Sequence, residues 1–280
     1  MPEGDSLHRA ARELQPRLAG EVVERLEIVR SGTRTEGIVG SRIRAVEARG
    51  KNLLVHFEVP WSLHVHLKMN GRVRLYPRET AKPIAMSQAV VILETARHRM
   101  VVYAAPVARL LRTRDLRGDM HFRGLGPDLV AASFDLPEAC ERLKGRASRP
   151  LGEALMDQSV VAGIGNVWKS ELCFTLRMDP FAPVSAFSDE ELSALLSLAR
   201  TQMVDTVHAP RRTMPDPFEP RAQRKPRLDR RQGESVMSVY GRESKPCYDC
   251  GTMIRMQHQG EQRRSTYYCP SCQPARGNVG

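Results

Sequence analysis

Cys247-Tyr248-Asp249-Cys250 and, eighteen residues later, Cys269-Pro270-Ser271-Cys272 bring four of the chain's six cysteines into its last 34 residues. Each Cys-x-x-Cys places two thiolates on one tight turn, and two such turns brought together form the tetrahedral S4 set that Zn2+ prefers. Between them, residues 252–258 and 263–268 are joined through Gly260 in the pattern of a β-hairpin. Four thiolates leave no open coordination position, so the one Zn2+ expected here is structural. Cys140 and Cys173 fall in apolar helical contexts, where a thiol is expected to serve as packing. Six cysteines in 280 residues are too sparse for a disulfide scaffold, which points to a reduced, cytoplasmic protein.

Moving toward the N-terminus, Ala209 to Glu234 holds eight Lys or Arg, four acids and five prolines with few apolar residues. That composition cannot build a core and reads as a basic Pro-rich loop or linker over 209–236. Before it the sequence has helical spacing over 136–143, 151–158, 166–176 and 189–204. The last of these opens on Ser188 with Glu191 three residues later, a capping box. Val160-Val161-Ala162-Gly163-Ile164-Gly165-Asn166 is a short glycine turn between two of these helices, and glycines let backbone amides approach phosphates closely. Residues 22–29, 43–46, 52–59, 63–67, 73–76, 89–93 and 100–104 are short β-rich runs separated by turn residues, the pattern of a sandwich or barrel. Leu7, Ala10, Ala11, Leu14 and Leu18, stopped by Gly20, precede them as one helix.

Lys plus Arg number 43 against 32 Asp plus Glu, a formal charge of +11. That excess points to a polyanionic partner. No stretch approaches the roughly 18–20 apolar residues of a membrane span, and Met1-Pro2-Glu3-Gly4-Asp5 lacks a basic-then-apolar signal. Membrane and secreted proteins are therefore disfavoured.

Met1-Pro2-Glu3-Gly4, Arg49-Gly50-Lys51, Gly126-Pro127-Asp128, Gly163-Ile164-Gly165-Asn166, Tyr240-Gly241-Arg242 and the four-cysteine finger occur in this order along almost the whole chain. Together they resemble the formamidopyrimidine-DNA glycosylase and endonuclease VIII family of base-excision repair enzymes. The resemblance implies an α+β multidomain chain. Residues 1–120 would form a β-sandwich with an N-terminal helix, 121–208 a helix-two-turn-helix DNA-binding domain, 209–236 the linker, and 237–280 a zinc-finger β-hairpin. It implies a monomer acting on damaged double-stranded DNA.

The same resemblance assigns roles. Pro2, exposed as a secondary amine once Met1 is removed, would attack C1′ of the damaged nucleotide. An ordinary α-amino group titrates near 8, and neighbouring cations with partial desolvation favour its neutral form. The resulting iminium is cationic as formed and acidifies C2′, so the strand breaks by β- and then δ-elimination. Glu3 would protonate the sugar ring oxygen, Lys51 would act as general acid or polarise phosphate, and Arg264 would clamp phosphates with its planar fork. Asn166 matches a phosphate-contacting asparagine and Glu171 a carboxylate near the lesion pocket.

Branches selective for oxidised purines carry an arginine and a phenylalanine after the strand equivalent to 100–103. Here that segment is Tyr103-Ala104-Ala105-Pro106-Val107-Ala108-Arg109, closer to the endonuclease VIII pattern. The wedge then falls to Lys68-Met69-Asn70, with Met69 as the apolar element between base steps. Asp5-Ser6 replaces a frequent Pro-Glu pair, and Gly124 stands where endonuclease VIII has a DNA-contacting arginine, a role the adjacent Arg123 could take. The resemblance thus implies a bifunctional glycosylase and lyase for oxidised pyrimidines. An 8-oxoguanine/formamidopyrimidine enzyme and a catalytically weak zinc-dependent DNA-binding protein stand as alternatives.

Overall fold

A computed structural model describes residues 2–29, 31, 33–80, 86–209 and 237–276. Met1 and, from Pro210 on, the basic Pro-rich segment lie outside the described residues. The chain divides into two compact units, Met1–Leu125 and Gly126–Gly280.

The first unit opens with helix α1 (Gly4–Leu18), whose stripe of Leu7, Ala11, Leu14 and Leu18 is buried. It begins three residues before the first periodic apolar residue because Glu3 supplies the N-cap in extended backbone. Eight strands follow: β1 (Arg25–Ile28), β2 (Ile43–Arg49), β3 (Asn52–Phe57), β4 (Trp61–His66), β5 (Arg72–Pro77), β6 (Ala89–Glu94), β7 (His98–Tyr103) and β8 (Val107–Arg112). They form two antiparallel four-stranded sheets ordered β1-β6-β7-β5 and β2-β3-β4-β8. Leu53, Val55, Leu63 and Val65 of one sheet join Val91, Leu93, Met100 and Val102 of the other and the α1 stripe in one buried cluster. This is the expected two-sheet sandwich with its helix.

Strand β8 is absent from the sequence reading because Leu110 and Leu111 sit side by side in Val107-Ala-Arg-Leu-Leu-Arg112, which breaks the alternation a half-buried strand should show. Strand β3 is buried on both faces. Its odd-numbered residues enter the sandwich core, while Leu54 on the other face packs with Leu116 and Phe122 from the segment that follows β8.

In the second unit, α2 (Leu136–Lys144), α3 (Leu151–Met156), α4 (Asn166–Thr175) and α5 (Asp189–His208) enclose a core around Trp168, Leu172, Leu195 and Leu196. The capping box forms as read: the Glu191 amide donates to Ser188 Oγ and the Ser188 amide to Glu191 Oε2, worth about 1 kcal/mol. The hairpin β9 (Arg255–Gln259) and β10 (Arg264–Tyr268) pairs antiparallel, and Phe174 of α4 packs with Val239, Ile254 and three of the finger cysteines.

Candidate nucleic-acid and catalytic site

In the first unit, Glu3 is fully buried and its carbonyl accepts from the amides of Ser6 and Leu7 at 3.0 and 3.2 Å. Pro2 is half-buried and immediately precedes this cap, at the end of α1 where backbone amides carry partial positive charge. Lys51 is half-buried in the two-residue turn between β2 and β3, where Gly50 takes φ +55 and Arg49 pairs with Asn52. Asn52 lies across from His66, and His66 lies across from Val107. Three segments therefore leave the sheet at one end: the Lys51 turn, the loop after β4, and the link into β8.

That loop is tight. The Gly71 amide donates to Leu67 O at 3.0 Å, and a Cβ on Gly71 would sit 2.5 Å from the same oxygen, so only glycine fits. Lys68, in left-handed backbone at φ 47, Met69 and Asn70 are exposed at its tip. Met69 is 59 % exposed, which decides against a core role for its thioether. His66 braces the base of the loop, its Nδ1 accepting from the Lys68 amide at 3.1 Å. Burial, with the nearby His121 and the positive charges of Lys51 and Lys68, pushes its pKa down to about 4. Arg123 is exposed, its amide bonded to Asp119 O, beside Gly124 at φ +81.

Arg109, in the segment that follows Tyr103, engages partners within its own unit. Its guanidinium donates to His64 Nδ1 at 3.2 Å, to Asp119 Oδ1 at 2.5 Å and to His121 Nδ1 at 3.2 Å. Only Ala104, Ala105 and Pro106 separate β7 from β8, with Ala104 at φ 50, so no long loop leaves the sheet there.

In the second unit, Asn166 is the first residue of α4 and 4 % exposed, and its Oδ1 is buried with no hydrogen-bond partner. Gly165 stands at the N-cap of α4 in extended backbone, and the first turn of the helix contains no acidic residue. Gln158, which the sequence reading missed, staples the preceding turn: its Oε1 accepts from the Gly163 amide and its Nε2 donates to Ile164 O, both at 3.1 Å.

Glu171 is placed differently from the other proposed contacts. It is 3 % exposed, and its carboxylate accepts from the amides of Ser238, Val239 and Tyr240 at 2.7, 2.9 and 2.8 Å. Burial holds its pKa above the usual carboxylate value, against the opposing pull of the three amides. Lys169, also missed, is fully buried and donates to Ser265 O at 3.1 Å and Thr266 Oγ1 at 2.6 Å, while Ser170 Oγ accepts from the Tyr267 amide. Three successive residues of α4 thus fasten the finger, and Arg264 opens the strand they hold. The Arg264 guanidinium is half-exposed and meets Gln262 Oε1 through Nε and Nη2 at 3.0 and 2.7 Å.

The Sγ atoms of Cys247, Cys250, Cys269 and Cys272 all lie within 4.8 Å of one another. Cys247–Cys272 is 3.9 Å and Cys250–Cys269 is 3.5 Å, close to the roughly 3.8 Å edge of a tetrahedron with Zn–S bonds of about 2.3 Å. Burial pushes the Cys247 thiol up to about 11, whereas a hydrogen bond from Thr252 pulls Cys250 down to about 6, and a cation among the four would favour the thiolate form of them all. These residues fit one structural Zn2+.

Models of the formamidopyrimidine-DNA glycosylase N-terminal domain and of the formamidopyrimidine-DNA glycosylase H2TH domain match residues 1–117 and 125–215. A Streptomyces coelicolor protein named probable endonuclease 8 2 is 37% identical, over 98% of this chain and 94% of its own. The DNA-(apurinic or apyrimidinic site) lyase Nei2 of Mycolicibacterium smegmatis is 33% identical, over 98% of this chain and 100% of its own. The crystal structure of Lactococcus lactis formamidopyrimidine-DNA glycosylase bound non-covalently to AP-site DNA superposes with TM-score 0.77 at 19% identity, covering 98% of this chain and 100% of that one, which speaks to the fold.

Proposed function

Because the chain belongs to the formamidopyrimidine-DNA glycosylase and endonuclease VIII family and is a DNA glycosylase with lyase activity at abasic sites, we propose that it excises oxidised pyrimidines from duplex DNA as a monomer. The observation that carries the choice of lesion is the pairing of an exposed Met69 with an internally bonded Arg109. An intercalating wedge must project from the surface. Met69 does so on a three-residue tip, whereas the stretch after Tyr103 runs directly into β8 and its arginine is engaged within the unit.

The chemistry proceeds from Pro2. With Met1 removed, its nitrogen attacks C1′, the glycosidic bond breaks, and the base leaves with a proton. Glu3 delivers a proton to O4′ as the sugar ring opens to the iminium. Loss of the C2′ proton then expels the 3′ phosphate, and a second elimination expels the 5′ phosphate. Lys51 carries protons or polarises phosphate in these steps, and Arg264 and Asn166 hold the backbone. Lys68, Asn70 and Arg123 add phosphate or base contacts. Zn2+, when bound by the four cysteines, supplies no chemistry; it ties the two knuckles that frame the hairpin.

Single-turnover excision of thymine glycol, dihydrouracil and 8-oxoguanine opposite cytosine tests the reading of substrate. Pyrimidine lesions should be removed at least about tenfold faster, a difference of ~1.4 kcal/mol in transition-state binding. Faster removal of 8-oxoguanine would reverse the assignment in favour of the oxidised-purine alternative.

A further inference from the structure

One face of the β2-β3-β4-β8 sheet carries a chain of buried polar groups that the reaction as described does not use. His64, fully buried, stands directly opposite Arg109 and diagonal to Asn52. Its Nδ1 accepts from Arg109 Nε, so its Nε2 carries the proton and donates to Asn52 Oδ1 at 2.9 Å. Asn52, 4 % exposed, then donates from Nδ2 to Arg49 O at 3.1 Å. Arg49 and Asn52 are the two residues that flank Gly50-Lys51. The outer end is pinned as well: Asp119 takes Arg109 Nη2 at 2.5 Å and the His121 amide at 3.0 Å.

A sheet face that needed only stability would be filled by residues like its neighbours Leu54, Leu116 and Phe122. Buried polar networks gain little over apolar packing of the same volume, but each fixes one arrangement of the groups it ends on. Here the network ends on the backbone carbonyl that opens the lysine's turn, and that turn already holds Gly50 at positive φ.

We propose that Asn52, oriented by His64 and through it by Arg109, is a positioning residue that sets the Lys51 turn, so that the three side chains act on the reaction through Lys51. This rests on Lys51 belonging to the reacting site. A displacement of about 1 Å in a reacting group costs up to about a hundredfold in rate, and the Asn52 Nδ2 bond fixes the carbonyl from which the turn carrying this lysine departs.

The test measures single-turnover cleavage of abasic-site duplex by the full chain, beside affinity for a tetrahydrofuran analogue that resists cleavage. Asn52→Leu should slow cleavage by about ten- to a hundredfold with analogue affinity within about twofold of wild type. In a Lys51→Ala background it should add nothing, because the two act as one unit. His64→Gln, which can still accept from Arg109 and donate to Asn52, should stay within about threefold of wild type, whereas His64→Leu should match Asn52→Leu. Wild-type cleavage by Asn52→Leu, or a further multiplicative loss in the Lys51→Ala background, overturns the proposal. If Asn52→Leu does not fold, equal rates for His64→Gln and His64→Leu overturn it instead. A wild-type rate for Lys51→Ala overturns the reading of Lys51 itself; a slow Lys51→Ala beside an unimpaired Asn52→Leu overturns only the positioning role.

Discussion

Arg264 enters β10 with its guanidinium half-exposed and bonded to Gln262, while the backbone that carries it is held to α4 by Lys169 and Ser170. A side chain so loosely engaged on a firmly fixed backbone is suited to transfer its donor fork to phosphate. Arg264→Ala should therefore leave zinc content unchanged and weaken DNA binding by about ten- to a hundredfold, the equivalent of roughly 1.5–3 kcal/mol. The slope of log K against log salt should become shallower by about one unit, and products should shift from β,δ- toward β-elimination ends. Zinc loss, or wild-type binding and cleavage, would return Arg264 to the scaffold. Glu171 is the contrasting residue: three backbone amides occupy its carboxylate. Glu171→Ala should orphan them at about 1–3 kcal/mol each and lower the melting temperature by several degrees. A variant with wild-type melting and defective DNA binding would place Glu171 at the DNA instead.

The hairpin of β9 and β10 is too small to stand on apolar burial alone, and three flanking cysteines make up half of the buried cluster beneath it. Cys269→Ser, or chelation of wild-type protein, should release zinc, disorder the hairpin and depress DNA affinity together, since metal binding in so small a module is part of its folding free energy. Retention of a folded hairpin and full affinity without zinc, read by hydrogen exchange and binding, would contradict this. Elements were legible in the sequence to the degree that one face alone decided them. The α1 stripe, the α5 capping box and the Cys-x-x-Cys pairs depend on local spacing. Strand β8 did not read as a strand because its pairing with β4 decides it. Lys169 and Glu171 are polar residues inside a helix buried on every side. Their partners lie about 70 to 100 residues away in sequence, so neither partner can be inferred from local pattern. The network of Asn52, His64 and Arg109 is equally non-local; the only trace in the sequence is polar residues on strands otherwise rich in Leu and Val.

Across the whole molecule, each unit brings its own share of the proposed chemistry. Met1–Leu125 holds Pro2, Glu3, Lys51 and the Met69 loop, and Gly126–Gly280 holds Asn166, Arg264 and the four cysteines. No helix among the described residues is long and apolar enough to cross a membrane, and the net charge of +11 favours a polyanion. In the proposed mechanism the lyase reaction runs through a covalent bond between Pro2 and C1′ of the sugar. Borohydride reduction of the protein on abasic-site DNA, followed by peptide mapping, measures this directly. The account predicts a stable one-to-one crosslink with the label on Pro2, Met1 absent from the labelled peptide, and no crosslink in protein that retains Met1. Failure of the wild-type protein to crosslink, or a label on a lysine that persists undiminished in Pro2→Gly, would contradict it.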